Sequence, residues 1–289
     1  MASHSAHTSR PSRRRRRLWL AAGGAVILAC LALVGAMVLE ARSLRVNRVT
    51  FASADVPPAF DGLRIAFVAD IHHGPFVSRA RVRATVDRVN ALLPDLIVLG
   101  GDYVYRKESA SDLGPVFDEL ARLRAPLGVY GVLGNHDHAL LEDNVAPVMA
   151  AAGIRELYDD GVWLRRDGAR LRLSGLSGLT EDRQTVSAAL DGATADDFVL
   201  LVNHSPDIAE ALAGAPVDLL LAGHTHGGQV TVFGLWAPLI PSRYGQKYRA
   251  GLVLDAPVPT FVTTGVGTIV APLRFFARPE IVLLTLRRD

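Results

Sequence analysis

The 289 residues and 49% hydrophobic content are ample for a substantial core, in one domain or two. The formal charge of +2 hides an asymmetry: residues 1–48 carry nine arginines against Glu40 (+8), whereas residues 49–289 hold 22 basic and 28 acidic groups (−6). The folded part is therefore acidic, which argues against a nucleic-acid-tracking surface, and the single cysteine, Cys30, excludes an intrachain disulfide.

Residues 1–17 form a basic tail ending in the unbroken run Arg13 to Arg17. Residues 18–39 follow with no charge. At 1.5 Å rise per residue such a helix spans about 33 Å, enough for a hydrocarbon core of ~30 Å. Arginines accumulate before this segment, so the positive-inside rule predicts a cytoplasmic N-terminus and, in a bacterium, a domain outside the cell membrane. Arg15-Arg16-Arg17-Leu18-Trp19 also resembles a twin-arginine export signal, and Ile27-Leu28-Ala29-Cys30 loosely resembles a lipoprotein cleavage box. The apolar run continues past Cys30 and ends in Leu39-Glu40-Ala41, a poor cleavage site, so a retained single-pass anchor is the favoured reading.

Residues 40–61 read as a connector with a first strand at 44–51, and residues 62–289 as the main domain. Residues 63–69 form a mainly apolar strand ending in Asp70-Ile71-His72-His73-Gly74. Val82, Val86, Val89 and Leu92 recur at helical spacing over 78–93. Further strands are predicted at 95–101, ending in Gly101-Asp102, and at 129–133, ending in Gly134-Asn135-His136-Asp137-His138. Helices are predicted at 112–123, 141–152 and within 181–195. The run at 198–202 delivers Asn203-His204-Ser205-Pro206, with a short helix at 208–212, and the run at 217–221 delivers Gly223-His224-Thr225-His226. Short strands are predicted at 162–164, 169–173, 229–233, 251–253, 261–264 and 280–286. Early alternation of strands and helices, then a strand-rich portion, gives a layered α/β or α+β domain.

Five strand ends thus carry Asp70 with His72, Asp102, Asn135 with His136, His204, and His224 with His226. Ligands of open α/β sheets gather beyond the carboxyl ends of strands. Carboxylate, imidazole and amide oxygen suit Mn²⁺, Fe²⁺ or Zn²⁺, and the donors exceed the needs of one site, so two divalent metals are expected. His73 and His138 match no ligand position and read as rim residues or as residues standing behind the ligands, and Asn203 either orients a loop or contacts phosphate. Trp236 and Phe275-Phe276 read either as core packing or as an apolar surface near the membrane.

The ordered set Asp70-x-His72, Gly101-Asp102, Gly134-Asn135-His136-Asp137, Asn203-His204 and Gly223-His224-x-His226 resembles the calcineurin-like metallophosphoesterases over roughly residues 62–285. Pro241-Ser242-Arg243-Tyr244-Gly245, Gly265-Val266-Gly267 and Arg278-Pro279-Glu280 resemble a bacterial membrane-associated, phosphodiesterase-like subgroup. The resemblance implies an α/β/β/α fold, a β-sandwich flanked by helices, in place of the open sheet suggested by periodicity. It implies that Asp70, His72 and His226 hold one metal, that Asn135, His204 and His224 hold the other, and that Asp102 bridges them. An activated hydroxide would attack phosphorus in line. His136 would serve catalysis by stabilising phosphoryl charge or protonating the leaving oxygen, with Asp137 orienting its ring. Arg243, Tyr244 and Arg274 are candidate contacts for a substrate anion.

The function expected is hydrolysis of a phosphodiester or pyrophosphate in a lipid or cell-envelope precursor by an enzyme tied to the bilayer through residues 18–39. Alternatives are a phosphomonoesterase or nucleotide phosphoesterase, and a non-catalytic envelope binding protein on the same scaffold. No nucleic acid is expected as a partner, and no protein partner is inferred.

Overall fold

In the computed structural model, which describes residues 13–105, 110–138, 142–177 and 183–289, the apolar N-terminal segment is one helix, α1 (Arg13–Arg42). It extends beyond both ends of the predicted span, because Arg13 to Arg17 and Glu40 to Arg42 continue the same turns. Residues 1–12 of the predicted 1–17 tail lie outside the described residues. The apolar stretch of α1 is not buried against the rest of the chain, as suits association with a membrane. Its last turns do meet the domain: Met37 O accepts from Arg274 N at 3.1 Å, and the Glu40 carboxylate accepts from Ala277 N at 2.8 Å.

The strands form two six-stranded sheets. In the first, β1 (Arg45–Ser53) pairs in parallel with the C-terminal β12 (Glu280–Arg288) over nine residues. This sheet therefore begins inside the predicted 40–61 connector. β12 runs antiparallel to β2 (Arg64–Val68), and β3 (Leu96–Leu99), β4 (Val129–Gly131) and β5 (Arg155–Glu156) follow in parallel with β2. In the second sheet β6 (Asp160–Arg166) is antiparallel to β7 (Ala169–Gly175). β8 (Val199–Val202), β9 (Leu219–Ala222) and β11 (Thr260–Val262) continue in parallel with β7, and β10 (Gly251–Val253) closes that edge antiparallel to β11.

Side-chain alternation along these strands builds three apolar layers. Phe67, Val98, Leu173, Leu200 and Leu221 meet between the sheets. The intervening Ala66, Val68, Ile97 and Leu99 turn outward onto α2 (Arg79–Ala91), α3 (Ala110–Leu120) and α5 (Glu142–Ala151). On the opposite flank Val199, Leu201 and Leu220 pack under α6 (Arg183–Ala189) and a 3-10 turn at Pro206–Ala211. The result is the expected β-sandwich flanked by helices. α2 starts where its sequence directs: Ser78 in extended backbone accepts from Arg81 N, and Val82, Val86 and Val89 form the buried stripe.

Three local expectations are corrected. The predicted strand at 229–233 forms only isolated bridges, Val230 to Phe275 and Val232 to Trp236, because the chain turns at residues 227–229 and again at Phe233. The predicted helix at 208–212 is the 3-10 turn Pro206–Ala211, capped by Ser205. A short helix absent from the sequence reading, α4 (Asn135–His138), carries the third motif.

Candidate metal centre

Within each sheet the parallel strands point the same way, so the loops after β2, β3 and β4 meet those after β8 and β9 along one edge of the sandwich. These loops carry the Asp/His motifs. Asp70, His72, Asp102, His224 and His226 all have φ between 50° and 68°. Such backbone costs on the order of 1–3 kcal/mol per residue and persists only where its surroundings enforce it. Two glycines provide the room. A Cβ on Gly134 would lie 2.1 Å from Asp102 Oδ1, and one on Gly223 would lie 2.5 Å from Asp70 Oδ2.

Asp102 sits between the groups. Its Oδ2 is 3.4 Å from His72 Nε2 and 3.2 Å from His204 Nε2, and its Oδ1 accepts from His136 N at 2.9 Å. On one side Asp70, His72 and His226 form a triad, with His226 Nε2 at 3.6 Å from Asp70 Oδ1 and at 3.1 Å from His72 Nε2. On the other side Asp102, His204 and His224 form a second triad, in which His224 Nδ1 lies 3.2 Å from His204 Nε2. A third, overlapping set joins His72, Asp102 and His136. Main-chain carbonyls hold two rings in place: His72 Nδ1 lies 3.3 Å from Val104 O, and His204 Nδ1 lies 2.7 Å from Gly100 O. With those nitrogens donating, the Nε2 lone pairs point inward, the arrangement that orients imidazole ligands.

The electrostatics fit a cation. Burial raises Asp70 to about 7 and lowers His72 and His224 to about 4, and it pushes His226 well below its ordinary value. Burial also opposes charge on His204, but the Asp102 carboxylate overrides it and lifts that imidazole to about 10. With protein groups alone, charge balance thus calls for a proton on His204. Asn135 Oδ1 is a buried acceptor with no donor among the described residues, and His226 Nδ1 is likewise without a partner. Oxygen and imidazole donors crowded around one carboxylate, with an orphaned amide oxygen beside them, fit two divalent transition metals. The centre is a candidate binuclear one.

The remaining candidates divide. His136 is half-buried, and its Nδ1 bonds to the Tyr105 carbonyl. The expected Asp137–His136 orientation is corrected: both Asp137 oxygens are taken by backbone donors, Asp102 N at 2.7 Å, Gly134 N at 2.9 Å and Tyr103 N at 2.9 Å. Asp137 is a clamp joining the second and third loops. Arg274 is also corrected as a substrate contact. It is fully buried, and its guanidinium donates to the carbonyls of Gly265, Gly267 and Ala277, because the tight loops behind the centre leave main-chain oxygens for it to satisfy. Arg243 is exposed and lines an open cleft of about 460 Å³ with Asn135 and His224; Tyr244 is exposed beside it and meets Tyr248 edge to face. Asp207, which the sequence reading passed over, fixes that cleft wall by accepting from Ser242 Oγ and Arg243 N. Its signal was the Ser205-Pro206 cap that starts its 3-10 turn. Asn203 donates to Ser205 O at 2.7 Å and orients its own loop, and His73 is buried against Val77 O. His138 is half-buried at the end of α4.

The model of the calcineurin-like phosphoesterase family matches residues 63–228. The uncharacterized metallophosphoesterase YkuE of Bacillus subtilis (strain 168) is 30% identical over 251 residues, 86% of this chain and 87% of that protein. Phosphodiesterase YaeI of Escherichia coli (strain K12) is 30% identical over 243 residues, 83% of this chain and 86% of that protein. A transmembrane protein with metallophosphoesterase domain from Danio rerio is 30% identical over 277 residues, 91% of this chain but 62% of that longer protein.

Proposed function

Since the chain belongs to the calcineurin-like phosphoesterase family, we propose that this hydrolase cleaves a phosphodiester or pyrophosphate in a lipid or cell-envelope precursor at a two-metal centre. The observation that carries this reading is the convergence of two triads on Asp102, beside a cleft open to solvent. Likeness to a protein named as a phosphodiesterase favours diester over monoester substrates, and supports our assignment of the chain to a bacterial phosphodiesterase-like subgroup.

In this proposal Asp70, His72 and His226 would hold one ion, Asn135, His204 and His224 would hold the other, and Asp102 would serve both. The ions, Mn²⁺, Fe²⁺ or Zn²⁺, supply Lewis-acid charge neutralisation and a nucleophile at neutral pH. The chain's own residues do the rest. His136, with Nδ1 donating to the Tyr105 carbonyl, would act as the imidazolium, its Nε2–H stabilising phosphoryl charge or passing its proton to the leaving oxygen. Asp137 holds the Asp102 and Gly134 loops in register, and Arg243 offers a cation at the cleft wall. We place the N-terminus in the cytoplasm and the domain outside a bacterial cell membrane. Protease added to intact spheroplasts should digest residues 62–289 while a cytoplasmic control survives; a protected domain would reverse that topology.

The substrate reading is tested by incubating the metal-loaded full chain in detergent with an extracted envelope-lipid fraction. Nucleotides and phosphoproteins are offered in parallel, with His136→Ala as the blank and mass spectrometry as the readout. Lipid turnover is expected. Turnover of nucleotides or phosphoproteins with lipids intact would overturn the lipid assignment and leave the metal centre standing.

A further inference from the structure

The side of the domain that receives α1 carries a group of apolar residues left uncovered by the described residues. Phe233, Leu235, Leu239 and Val270 are 71–83% exposed, and Trp236 and Phe276 about half so. Single exposed apolar residues are ordinary, but a contiguous set marks an interaction surface. Here Phe233, Trp236 and Phe276 are brought together by the bridges Val230 to Phe275 and Val232 to Trp236. The Phe233 ring lies 5.8 Å from that of Phe276, Val232 N donates to Trp236 O, and Thr231 N and Phe275 N exchange hydrogen bonds with Phe275 O and Gln229 O. The segment beneath, residues 274–277, is the one bonded to Met37 and Glu40 in the last turns of α1.

We propose that residues 232–239, with Val270 and Phe276, seat on the bilayer surface that α1 enters and hold the mouth of the metal centre at the lipid headgroups. Charge complements the apolar tips. Arg42, Arg45, Arg48 and Arg278 are exposed around the base of α1, and Glu40, Arg45, Gly234, Arg249, Phe276 and Arg278 line one cleft of about 600 Å³. Apolar side chains projecting beside arginines are the composition of a surface that lies in an anionic lipid interface. The same loop continues into Ile240, Pro241, Ser242 and Arg243, which line the metal-centre cleft with Asn135 and His224. Seating therefore constrains the cleft wall directly. A lone tether would leave the domain free to tumble, whereas the hydrogen bonds from residues 274 and 277 to α1 fix one face toward the membrane.

The inference rests on α1 entering the bilayer, and the test separates the two. The full chain is reconstituted in vesicles of phosphatidylethanolamine and phosphatidylglycerol, and an environment-sensitive fluorophore is attached to the native Cys30. In a Cys30→Ala background it is attached instead through Leu235→Cys or Val270→Cys, or through Asp196→Cys in the turn before β8, at the end of that strand away from the ligands. Expected at 235 and 270 are blue-shifted emission and quenching by shallow spin-labelled lipid severalfold above the Asp196 control, with Cys30 quenched by deep-labelled lipid. Labels at 235 and 270 that match the Asp196 control, while Cys30 is quenched, would overturn the seat. An unquenched Cys30 would remove the membrane reading of α1 and the seat with it. No substrate is used, so the result is independent of the lipid-substrate assignment.

Discussion

His72 and His226 face each other through their Nε2 atoms at 3.1 Å, with ring planes 26° apart. His72 Nδ1 is engaged with Val104 O, so its Nε2 presents a lone pair. His226 then leaves at least one nitrogen unsatisfied in either tautomer, since its Nδ1 has no partner among the described residues. Neither ring takes a proton readily, because burial lowers both. Two imidazole lone pairs held this close serve a cation far better than they serve the protein alone.

The first prediction follows from that pair. Wild-type protein should bind about two divalent ions per chain by elemental analysis, with a Tm that rises with metal concentration as each ion contributes about 2.7 kcal/mol of stability at a hundredfold excess over its Kd. His226→Ala should lose one ion and part of that rise. Asp102→Asn should weaken both ions, since its carboxylate touches both triads. Two ions retained with full turnover in Asp102→Asn would refute the bridging role.

Replacement of His136 separates proton handling from metal binding. His136→Ala should keep its metal content while turnover of an aryl phosphodiester falls about 10²–10⁴-fold, the range for a positioned proton-transfer group. Parallel loss of metal would instead make His136 a ligand, as the overlapping third set allows.

Crowding at Gly134 predicts a steric route to the same centre. The Cβ of Gly134→Ala would collide with the Asp102 carboxylate and with its main-chain N at 2.5 Å. The carboxylate must move, and a displacement on the order of 1 Å costs about 10²-fold in rate. Metal content should fall with turnover while the circular dichroism of the sandwich is retained. Wild-type activity would mean that the loop yields freely.

Far from the centre, Glu119 on α3 accepts from Arg79 and Arg83 on α2 and from Arg122. Hydrogen bonds from Arg83 and Arg79 lower its carboxyl from 4.5 to about 2. A depressed folded-state value contributes stability above the unfolded value, and that contribution is lost as pH falls toward the folded one. Glu119→Gln should therefore lower Tm at pH 7, and its gap from wild type should close between about pH 4.5 and 2. The gap at neutral pH should be modest, because the arginines are largely exposed and screened by solvent. A gap that is constant with pH would mean the ion pairs contribute nothing.

The sequence by itself determined the candidate ligands and their order, because Asp and His at successive strand ends are chemical signals written locally. It also determined α1, whose uncharged length is read directly from consecutive residues. It could not distinguish a sandwich from an open sheet. Leu219, Leu220 and Leu221 are buried on both faces either way, whether the second face meets helices or another sheet, and only the register of β7, β8 and β9 against the first sheet decides. The roles of Asp137 and Arg274 were equally hidden. Both are charged side chains beside a motif, and what separates them from substrate contacts is which backbone groups the folded loops leave unpaired. Those groups exist only once strands distant in sequence have brought five loops to one edge, so tertiary structure alone decides which charges face the cleft and which hold the loops.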